Sequence, residues 1–202
     1  MKTESVDVPG ITRPMTYEEY LAGPEEMARY DILDGWKVYR LYGDNLLPSP
    51  TRRHQRILGR LLHRFQDYEA ESGTGEAIAA PCDVQITYQP LRSRQPDLLF
   101  ISRERLAQND APDECTPLSP APELVVEIIS PSDTPSVLTQ KLEDYRAVDV
   151  QEIWLVDPET TQITVIPAQI SEDVTAYGPG QAAVSTVFPS LYVVVNDIFT
   201  QE

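Results

Sequence analysis

The sequence predicts an α/β fold, a mixed β-sheet core flanked by helices, with an N-terminal β-hairpin and further β-strands towards the C-terminus. Two short apolar runs, 96–101 and 122–129, are typical of buried strands. Residues 134–148 have helical periodicity and precede another strand-like run, 151–158, which predicts a βαβ crossover with parallel strands. The 202 residues, 41% of them hydrophobic and 24% charged, suit one compact domain.

The composition limits the class of protein. A net charge of −16 argues against a broad positive surface for nucleic acid, so a DNA contact requires a local patch or a metal ion. No run of about 18 apolar residues predicts a transmembrane helix, and the first residues lack a signal-peptide pattern, so we expect a cytoplasmic protein. Cys82 and Cys115 lie far apart and lack zinc-ligand spacing to His54 or His63, which indicates reduced thiols.

The N-terminal part of the chain is polar and then helical. Residues 1–14 lack periodicity, which predicts a loosely held, flexible arm, and residues 15–202 are expected to form a single domain. Thr16 and Glu19 have the spacing of a capping box, which predicts a short helix that ends near residues 23–24.

A β-hairpin is predicted next. Residues 29–33 and 36–42 have strand composition and flank Asp34-Gly35, a pair that accepts the positive φ angles of a tight turn. Asp31 lies on the first of these strands. Position alone favours an exposed acid on an edge strand.

The longest helix is predicted from Thr51 to about Glu71. At about 100° per residue, one face of this helix is apolar: it contains Ile57, Leu58, Leu61, Leu62 and Phe65. His54 falls in the middle of that face and therefore points inward. A single inward histidine is more often a core residue with a satisfied hydrogen bond than a catalyst.

A stripe of arginines flanks this apolar face, formed by Arg53, Arg56, Arg60 and Arg64. No acidic residue lies between Arg52 and Arg64, so in this acidic chain the stripe is a concentrated positive patch. Two interpretations have equal weight. The arginines either balance nearby acids at a solvated surface or contact a phosphate backbone.

The middle of the chain is predicted to alternate strands and loops. Residues 76–80 and 82–88 are expected to be strands, 89–94 a loop and 103–108 a short helical turn. A loop over 109–122, which contains acids and prolines, connects to the second apolar run.

The helix predicted over 134–148 carries a lysine on its apolar side. Lys141 lies within the arc formed by Val137, Leu138, Leu142, Tyr145 and Val148. Such a lysine either extends outward along its aliphatic stem or meets a buried carboxylate, and the periodicity does not decide between these two. The C-terminal part adds strands over 162–167 and 191–195.

Each of the two apolar runs contains an acid, Asp97 in the first and Glu127 in the second. An ionised carboxylate in a buried strand is costly unless it is paired or binds a metal. Mg²⁺ takes oxygen ligands from one or two carboxylates, together with water and substrate phosphate. With Lys141 able to orient water or stabilise negative charge, the set suits hydrolysis of a phosphate ester.

The same residues resemble a known family. Pro96-Asp97 followed by 126–129 is similar to the PD-(D/E)XK nuclease pattern, and the wider series is similar to the Uma2 family of restriction endonucleases. The similar segments, in family order, are 29–35, 48–50 with His54, 95–100, 122–132, Lys141 with Tyr145, and 154–158. The resemblance covers roughly residues 15 to 200.

This resemblance implies a restriction-endonuclease-like core and a metal-dependent site. Asp97 and Glu127 would be metal ligands, with the Ile128 carbonyl as a third. The superfamily lysine would stand at Ile129, and the resemblance to the Uma2 family implies that its function moves to the following helix, at Lys141. The family usually has a glutamate where this chain has Asp31, which would reach the metal through water.

The leading hypothesis is therefore an endodeoxyribonuclease that depends on Mg²⁺ or Mn²⁺. Because cutting both strands of DNA calls for two sites related by a two-fold axis, we expect a homodimer. The DNA contacts would be Arg53, Arg56, Arg60 and His54. One alternative is a catalytically degenerate nuclease fold that binds nucleic acid or protein, favoured by the acidic charge and by Ile129; another is a phosphodiesterase for a smaller nucleotide.

Overall fold

The computed structural model of the chain describes residues 13–24, 30–39, 51–108, 117–130, 133–168 and 173–200. Residues 1–12 of the predicted arm, Arg29 and residues 40–42 of the predicted hairpin, and Cys115 lie outside the described residues. Most of the predicted loop over 109–122 also lies outside them.

The predictions of the first helix and of the hairpin are confirmed for the described residues. Helix α1 spans Tyr17–Leu21, and its N-cap Thr16 forms the capping box with Glu19. Strands β1 (Tyr30–Leu33) and β2 (Trp36–Tyr39) pair in antiparallel fashion. Asp34 and Gly35 connect them with φ angles of 53° and 82°, as a tight hairpin turn requires.

Helix α2 spans Arg52–Ser72 and ends at Gly73, whose φ of 61° forms a left-handed C-cap. Its apolar face is buried as the periodicity predicts, with Ile57, Leu58, Leu61 and Phe65 almost fully buried and Leu62 partly buried. Strand β3 (Gly75–Ala79) follows at once.

A four-stranded sheet has the order β2-β1-β5-β4. Strand β4 spans Val84–Tyr88 and strand β5 spans Leu91–Arg94. The prediction of a loop over 89–94 was wrong for residues 91–94. Leu91 is the single apolar residue in this strand, and β5 is nevertheless largely buried because its two arginines pair with acidic side chains, Arg92 with Asp144 and Arg94 with Asp31 and Asp144.

A six-stranded sheet has the order β10-β9-β8-β7-β6-β3. Its elements after β3, with the intervening helices α3 and α4, are β6 (Leu98–Ser102), α3 (Arg103–Gln108), β7 (Leu124–Ile128), α4 (Pro135–Ala147), β8 (Glu152–Asp157), β9 (Gln162–Pro167) and β10 (Thr175–Tyr177). Strands β7 and β8 are parallel and joined through α4, which confirms the predicted crossover, whereas β6 and β7 are antiparallel.

The two faces of this sheet support two apolar clusters. One contains α2 residues such as Phe65, with Phe100 and Trp154 of the sheet. The other contains Tyr145 of α4 with Leu99 and other sheet residues. Strands β11 (Ala182–Val184) and β12 (Tyr192–Val194) and helix α5 (Val195–Phe199) complete the described chain.

Side chains of a strand alternate between the two faces of this sheet, and each face is covered by a different helix. A side chain on the neighbouring strands β6 and β7 is therefore shielded from water on whichever face it lies. Among the described residues, no helix combines the length and the apolar character needed to cross a membrane.

Candidate active site

Two buried carboxylates lie next to each other in sequence register on neighbouring strands. Asp97 directly precedes β6 and Glu127 lies in β7; their exposed fractions are 0% and 1%. The antiparallel register pairs Leu98 with Val126, and the backbone N–H of Ile128 donates a 2.7 Å hydrogen bond to Asp97 Oδ2. The Asp97 carboxylate therefore contacts the peptide that directly follows Glu127.

Two side chains of α4 hold Glu127. The Lys141 ammonium lies 2.8 Å from Glu127 Oε2, and the Tyr145 hydroxyl donates a 2.6 Å hydrogen bond to Oε1. Lys141 and Tyr145 are one helical turn apart and so share a face of α4. Of the two interpretations of Lys141, the structure therefore supports the one in which the ammonium meets a buried carboxylate. Only 3% of Lys141 is exposed.

His54 lies against the other carboxylate. Thr51 caps α2 by accepting a 3.1 Å hydrogen bond from the His54 backbone N–H, which fixes the first helical turn beside the sheet. His54 Nε2 is 3.3 Å from Asp97 Oδ1, and its buried Nδ1 has no hydrogen-bond partner among the described residues. The structure thus places His54 in the interior beside Asp97, as its helical phase predicts, and not on the exposed arginine stripe.

The expectation that Asp31 is an exposed edge acid was wrong. Strand β1 pairs with β5 on the side away from β2, so Asp31 is enclosed and 6% exposed. Its Oδ2 accepts a 3.0 Å hydrogen bond from Arg94, and its Oδ1 accepts one of 3.1 Å from the Gln95 backbone N–H. These contacts place Asp31 beside the segment that leads to Asp97.

Arg94 joins the four-stranded sheet to α4. It is 2% exposed, and its Nε donates a 2.7 Å hydrogen bond to Asp144 Oδ2. Burial alone would lower the pKa of Arg94, but the adjacent Asp31 and Asp144 carboxylates raise it above its ordinary value. Arg92 also donates to Asp144 Oδ1, over 3.0 Å, so this ion-pair network holds α4 in place.

Sequence reasoning missed Arg94 and Asp144 as parts of this arrangement. Asp144 stands directly before Tyr145 and three residues after Lys141, at the flank of the predicted inner face of α4. An acid at that helical phase is a signal for a buried cationic partner. That partner is Arg94, which was not considered because the sequence predicted a loop over residues 89–94.

The arginine stripe is largely engaged in contacts to the protein itself. Arg53 pairs with Glu159 at 3.1 Å and also donates to the Pro158 carbonyl. Arg60 and Arg64 donate to backbone carbonyls in the C-terminal segment: Arg60 to Thr200 over 2.5 Å and Arg64 to Tyr192 over 3.0 Å. Arg56 is exposed and has no ion pair or hydrogen bond to the described part of the chain.

The contacts agree with the first interpretation of the stripe at one arginine only. Arg53 balances an acid, as the first one proposes, whereas Arg60 and Arg64 anchor the end of the chain through carbonyls. Pro158 follows β8, and Glu127 lies near the end of the parallel strand β7, so Arg53 lies at the same edge of the sheet as the buried carboxylates. The positive charge of Arg56 is on the next turn of α2.

The donor set suits a hard divalent cation of the Mg²⁺ type. Asp97 and Glu127 lie in register on neighbouring strands, where both can offer carboxylate oxygens, and the Ile128 peptide adjoins Asp97. No group of three His, Cys, Asp or Glu side chains with metal-binding geometry occurs within the described ranges. Two carboxylates with backbone, water and substrate oxygens are the usual Mg²⁺ ligand set, so these residues fit such an ion.

Comparisons with known proteins agree with this fold. A solved structure, titled a putative nuclease belonging to DUF820 from Anabaena variabilis ATCC 29413, superposes with a TM-score of 0.73 at 19% sequence identity. The match covers 92% of this chain and 98% of that one, which confirms the predicted fold class. No curated protein matches the sequence. The model of the Uma2 family, described as "putative restriction endonuclease", matches residues 17–195, and the chain therefore belongs to the Uma2 family.

Proposed function

We propose that this protein is a metal-dependent endodeoxyribonuclease, which hydrolyses phosphodiester bonds of DNA with Mg²⁺ or Mn²⁺. The observation that carries the proposal is the buried Lys141–Glu127 pair beside Asp97. Removing three charged groups from water is costly, and a reaction that needs two acids and a cation in one place accounts for that cost. Membership of the Uma2 family supports the same reaction class.

Each residue has a role in this proposal. Asp97, Glu127 and the Ile128 carbonyl would hold the metal ion, which polarises the phosphate and lowers the pKa of a bound water when present. Lys141 supplies positive charge close to the developing negative charge of the reacting phosphate. Tyr145 orients the Glu127 carboxylate by its 2.6 Å hydrogen bond. Asp31 acts through Arg94 and the Gln95 backbone, as a positioning residue.

His54 also acts as a positioning residue in this scheme. Its Nε2 contacts Asp97 Oδ1, while the Ile128 N–H binds Oδ2, so the two contacts fix the plane of the Asp97 carboxylate. A ligand whose plane is fixed in advance loses less freedom when it binds an ion.

We assign the DNA contact to the N-terminal half of the arginine stripe. Arg56 has a guanidinium available to phosphate, and Arg53 lies at the edge of the sheet that carries the site. Arg60 is held by the C-terminal segment and contributes positive charge nearby. Cleavage of both DNA strands requires two sites, so the proposal includes a homodimer.

A second function is favoured by one departure from the nuclease pattern. Ile129 stands where the superfamily pattern has its lysine, and the net charge of −16 opposes DNA binding over most of the surface. A nuclease fold that has lost catalysis and only binds a partner would show both the missing lysine and the acidic surface. The inward position of Lys141, which restores an ammonium at Glu127, favours the enzyme over this alternative.

Nicking of supercoiled plasmid DNA in Mg²⁺ or Mn²⁺ tests the proposal. We expect the wild type to cut and both Asp97→Ala and Lys141→Ala to be inactive. Glu143→Ala is the matched control, because Glu143 is an exposed acid on the same helix as Lys141, and it should cut like the wild type. Absence of cleavage with every metal, together with absence of metal binding by calorimetry, would instead support the binding module.

A further inference from the structure

The Lys141 ammonium has two carboxylates within reach. It lies 2.8 Å from Glu127 Oε2 and 3.7 Å from Asp133 Oδ1. Glu127 lies in strand β7, whereas Asp133 lies in the segment before α4. Lys141 therefore stands between an acid assigned to the metal site and an acid outside it.

Asp133 is held in a fixed position by its other oxygen. The Ser130 backbone N–H donates a 2.9 Å hydrogen bond to Asp133 Oδ2, and the Asp133 N–H donates one of 2.9 Å to the Ser130 carbonyl. These two bonds link Asp133 to Ser130, shortly after the end of β7. They hold Oδ2 and leave Oδ1 directed at Lys141.

An ion at Glu127 would compete with Lys141. The Glu127 oxygens already bind one ammonium and one hydroxyl, so a divalent cation and Lys141 both require negative charge from the same group. Two cations at one carboxylate repel each other, and a buried ammonium without a carboxylate partner is strongly unfavourable. Lys141 therefore needs a second carboxylate when Glu127 binds a metal ion.

We propose that Asp133 is a positioning residue that receives the Lys141 ammonium when Glu127 binds a divalent cation. The inference rests on the proposed metal-dependent function. Lys141 moves by less than the length of its own side chain, from Glu127 to Asp133, and stays close to the place where the phosphate reacts. Its charge is balanced by a carboxylate before and after metal binding.

The two residues have opposite effects on metal affinity. Removal of the Lys141 charge removes the competitor, so Lys141→Met tightens the binding of Mn²⁺. Removal of the Asp133 charge leaves Lys141 without a second partner, so Asp133→Asn weakens binding of Mn²⁺. The effect of Asp133 exists only through Lys141, which makes the two substitutions non-additive.

Calorimetric titration with Mn²⁺ alone, without DNA, measures this coupling in the full chain. We expect Asp133→Asn to bind Mn²⁺ about tenfold more weakly than the wild type, a size typical of residues in one ion-pair network. In the Lys141→Met background, the same Asp133→Asn change should leave the affinity unaltered. Asp133→Glu, which keeps the carboxylate, should retain most of the wild-type affinity.

The outcomes separate this inference from the proposed function. Equal weakening by Asp133→Asn with and without Lys141 would overturn it, because Asp133 would then be a metal ligand or a structural residue. Unchanged affinity in Asp133→Asn would also overturn it and leave the metal site intact. No Mn²⁺ binding by any variant would overturn the metal-dependent function as well. Lys141→Gln replaces Lys141→Met if circular dichroism shows that the latter is unfolded.

Discussion

Arg94 Nε donates a 2.7 Å hydrogen bond to Oδ2 of Asp144, and this contact joins the four-stranded sheet to helix α4. Asp144 is the neighbour of Tyr145, whose hydroxyl binds Glu127, and Lys141 lies one turn earlier on the same helix. The buried ion pair therefore fixes the rotation of α4 about its axis. That rotation determines whether Lys141 and Tyr145 meet Glu127.

Replacement of Arg94 by methionine should destabilise the protein strongly. Arg94→Met removes the Arg94 cation from the buried Asp31 carboxylate and leaves Asp144 paired with Arg92 alone, a change that costs about 3–5 kcal/mol. Urea unfolding measures the difference. Arg53→Met is the control: Arg53 is half exposed, and loss of its pair with Glu159 should cost less than about 1 kcal/mol. Equal losses for the two variants would contradict the structural role of Arg94.

Tyr145→Phe should reduce cleavage while the core remains packed. Tyr145 is fully buried, and phenylalanine keeps its ring but removes the 2.6 Å hydrogen bond to Glu127. Loss of a partner that orients a metal ligand typically reduces activity about 10-fold to 100-fold. Initial rates of plasmid nicking measure this. The control is Tyr177→Phe, whose hydroxyl has no hydrogen bond to the described residues; it should leave the rate unchanged.

Two glycine substitutions should change stability in opposite directions. A Cβ at Gly75 would lie 2.3 Å from the Ile101 carbonyl oxygen and 2.5 Å from the Phe100 ring, so Gly75→Ala should cost about 1–3 kcal/mol or more. A Cβ at Gly59, in the middle of α2, meets nothing within 4 Å. Gly59→Ala should therefore stabilise the protein by about 0.5–1 kcal/mol. Thermal melts in which Gly75→Ala left stability unchanged or raised it would contradict the close packing of β3 on β6.

Asp83 should make stability depend on pH. Burial raises the pKa of its carboxyl above the ordinary value, although hydrogen bonds from Tyr20 and Gln95 oppose this shift. The folded protein therefore binds this proton more tightly than the unfolded chain does. The resulting stabilisation is present below the unfolded pKa and is lost as the pH rises through the folded pKa.

Asp83→Asn should accordingly raise the melting temperature at high pH, because the neutral amide avoids the cost of ionising a buried carboxyl whose pKa is raised. The gain should shrink as the pH is lowered towards about 4, the ordinary range of an aspartate. Scanning calorimetry at a series of pH values measures it. Asp67→Asn, at a half-exposed position of α2, controls for the substitution. A gain for Asp83→Asn that is the same at every pH would contradict this account.

Arg56→Gln should weaken DNA binding and its dependence on salt. If Arg56 contacts one phosphate, its loss reduces the slope of log affinity against log salt by about 1. Fluorescence anisotropy of a labelled duplex without divalent metal measures the slope. Arg146→Gln, at the exposed C-terminal end of α4, is the control and should leave the slope unchanged. An equal change in both variants would indicate a non-specific effect of net charge.

The sequence predicts the elements with strong local patterns. The phases of α2 and α4 correctly direct His54 and Lys141 inward, because apolar neighbours at helical spacing define the buried faces. The Asp34-Gly35 pair likewise predicts the hairpin, since its backbone preference is local. The family pattern identifies Asp97 and Glu127 as candidate metal ligands before the fold is known.

Polar burial is what the sequence fails to predict. Asp31 and Arg94 are charged residues, a type usually found at the surface. Each can be buried here because the charge of the other neutralises its own charge. The pairing is between residues far apart in the chain, so no local pattern contains it. The same reason explains why strand β5, with two arginines and one leucine, was predicted as a loop.

The location of a bound metal ion tests the central claim most directly. Crystals grown with Mn²⁺, measured near the manganese absorption edge, give an anomalous signal at the ion itself. We predict a peak within about 2.5 Å of carboxylate oxygens of both Asp97 and Glu127, and no such peak for Asp97→Ala. A manganese ion bound elsewhere, or no peak at saturating Mn²⁺, would contradict the assignment of these two carboxylates as the metal site.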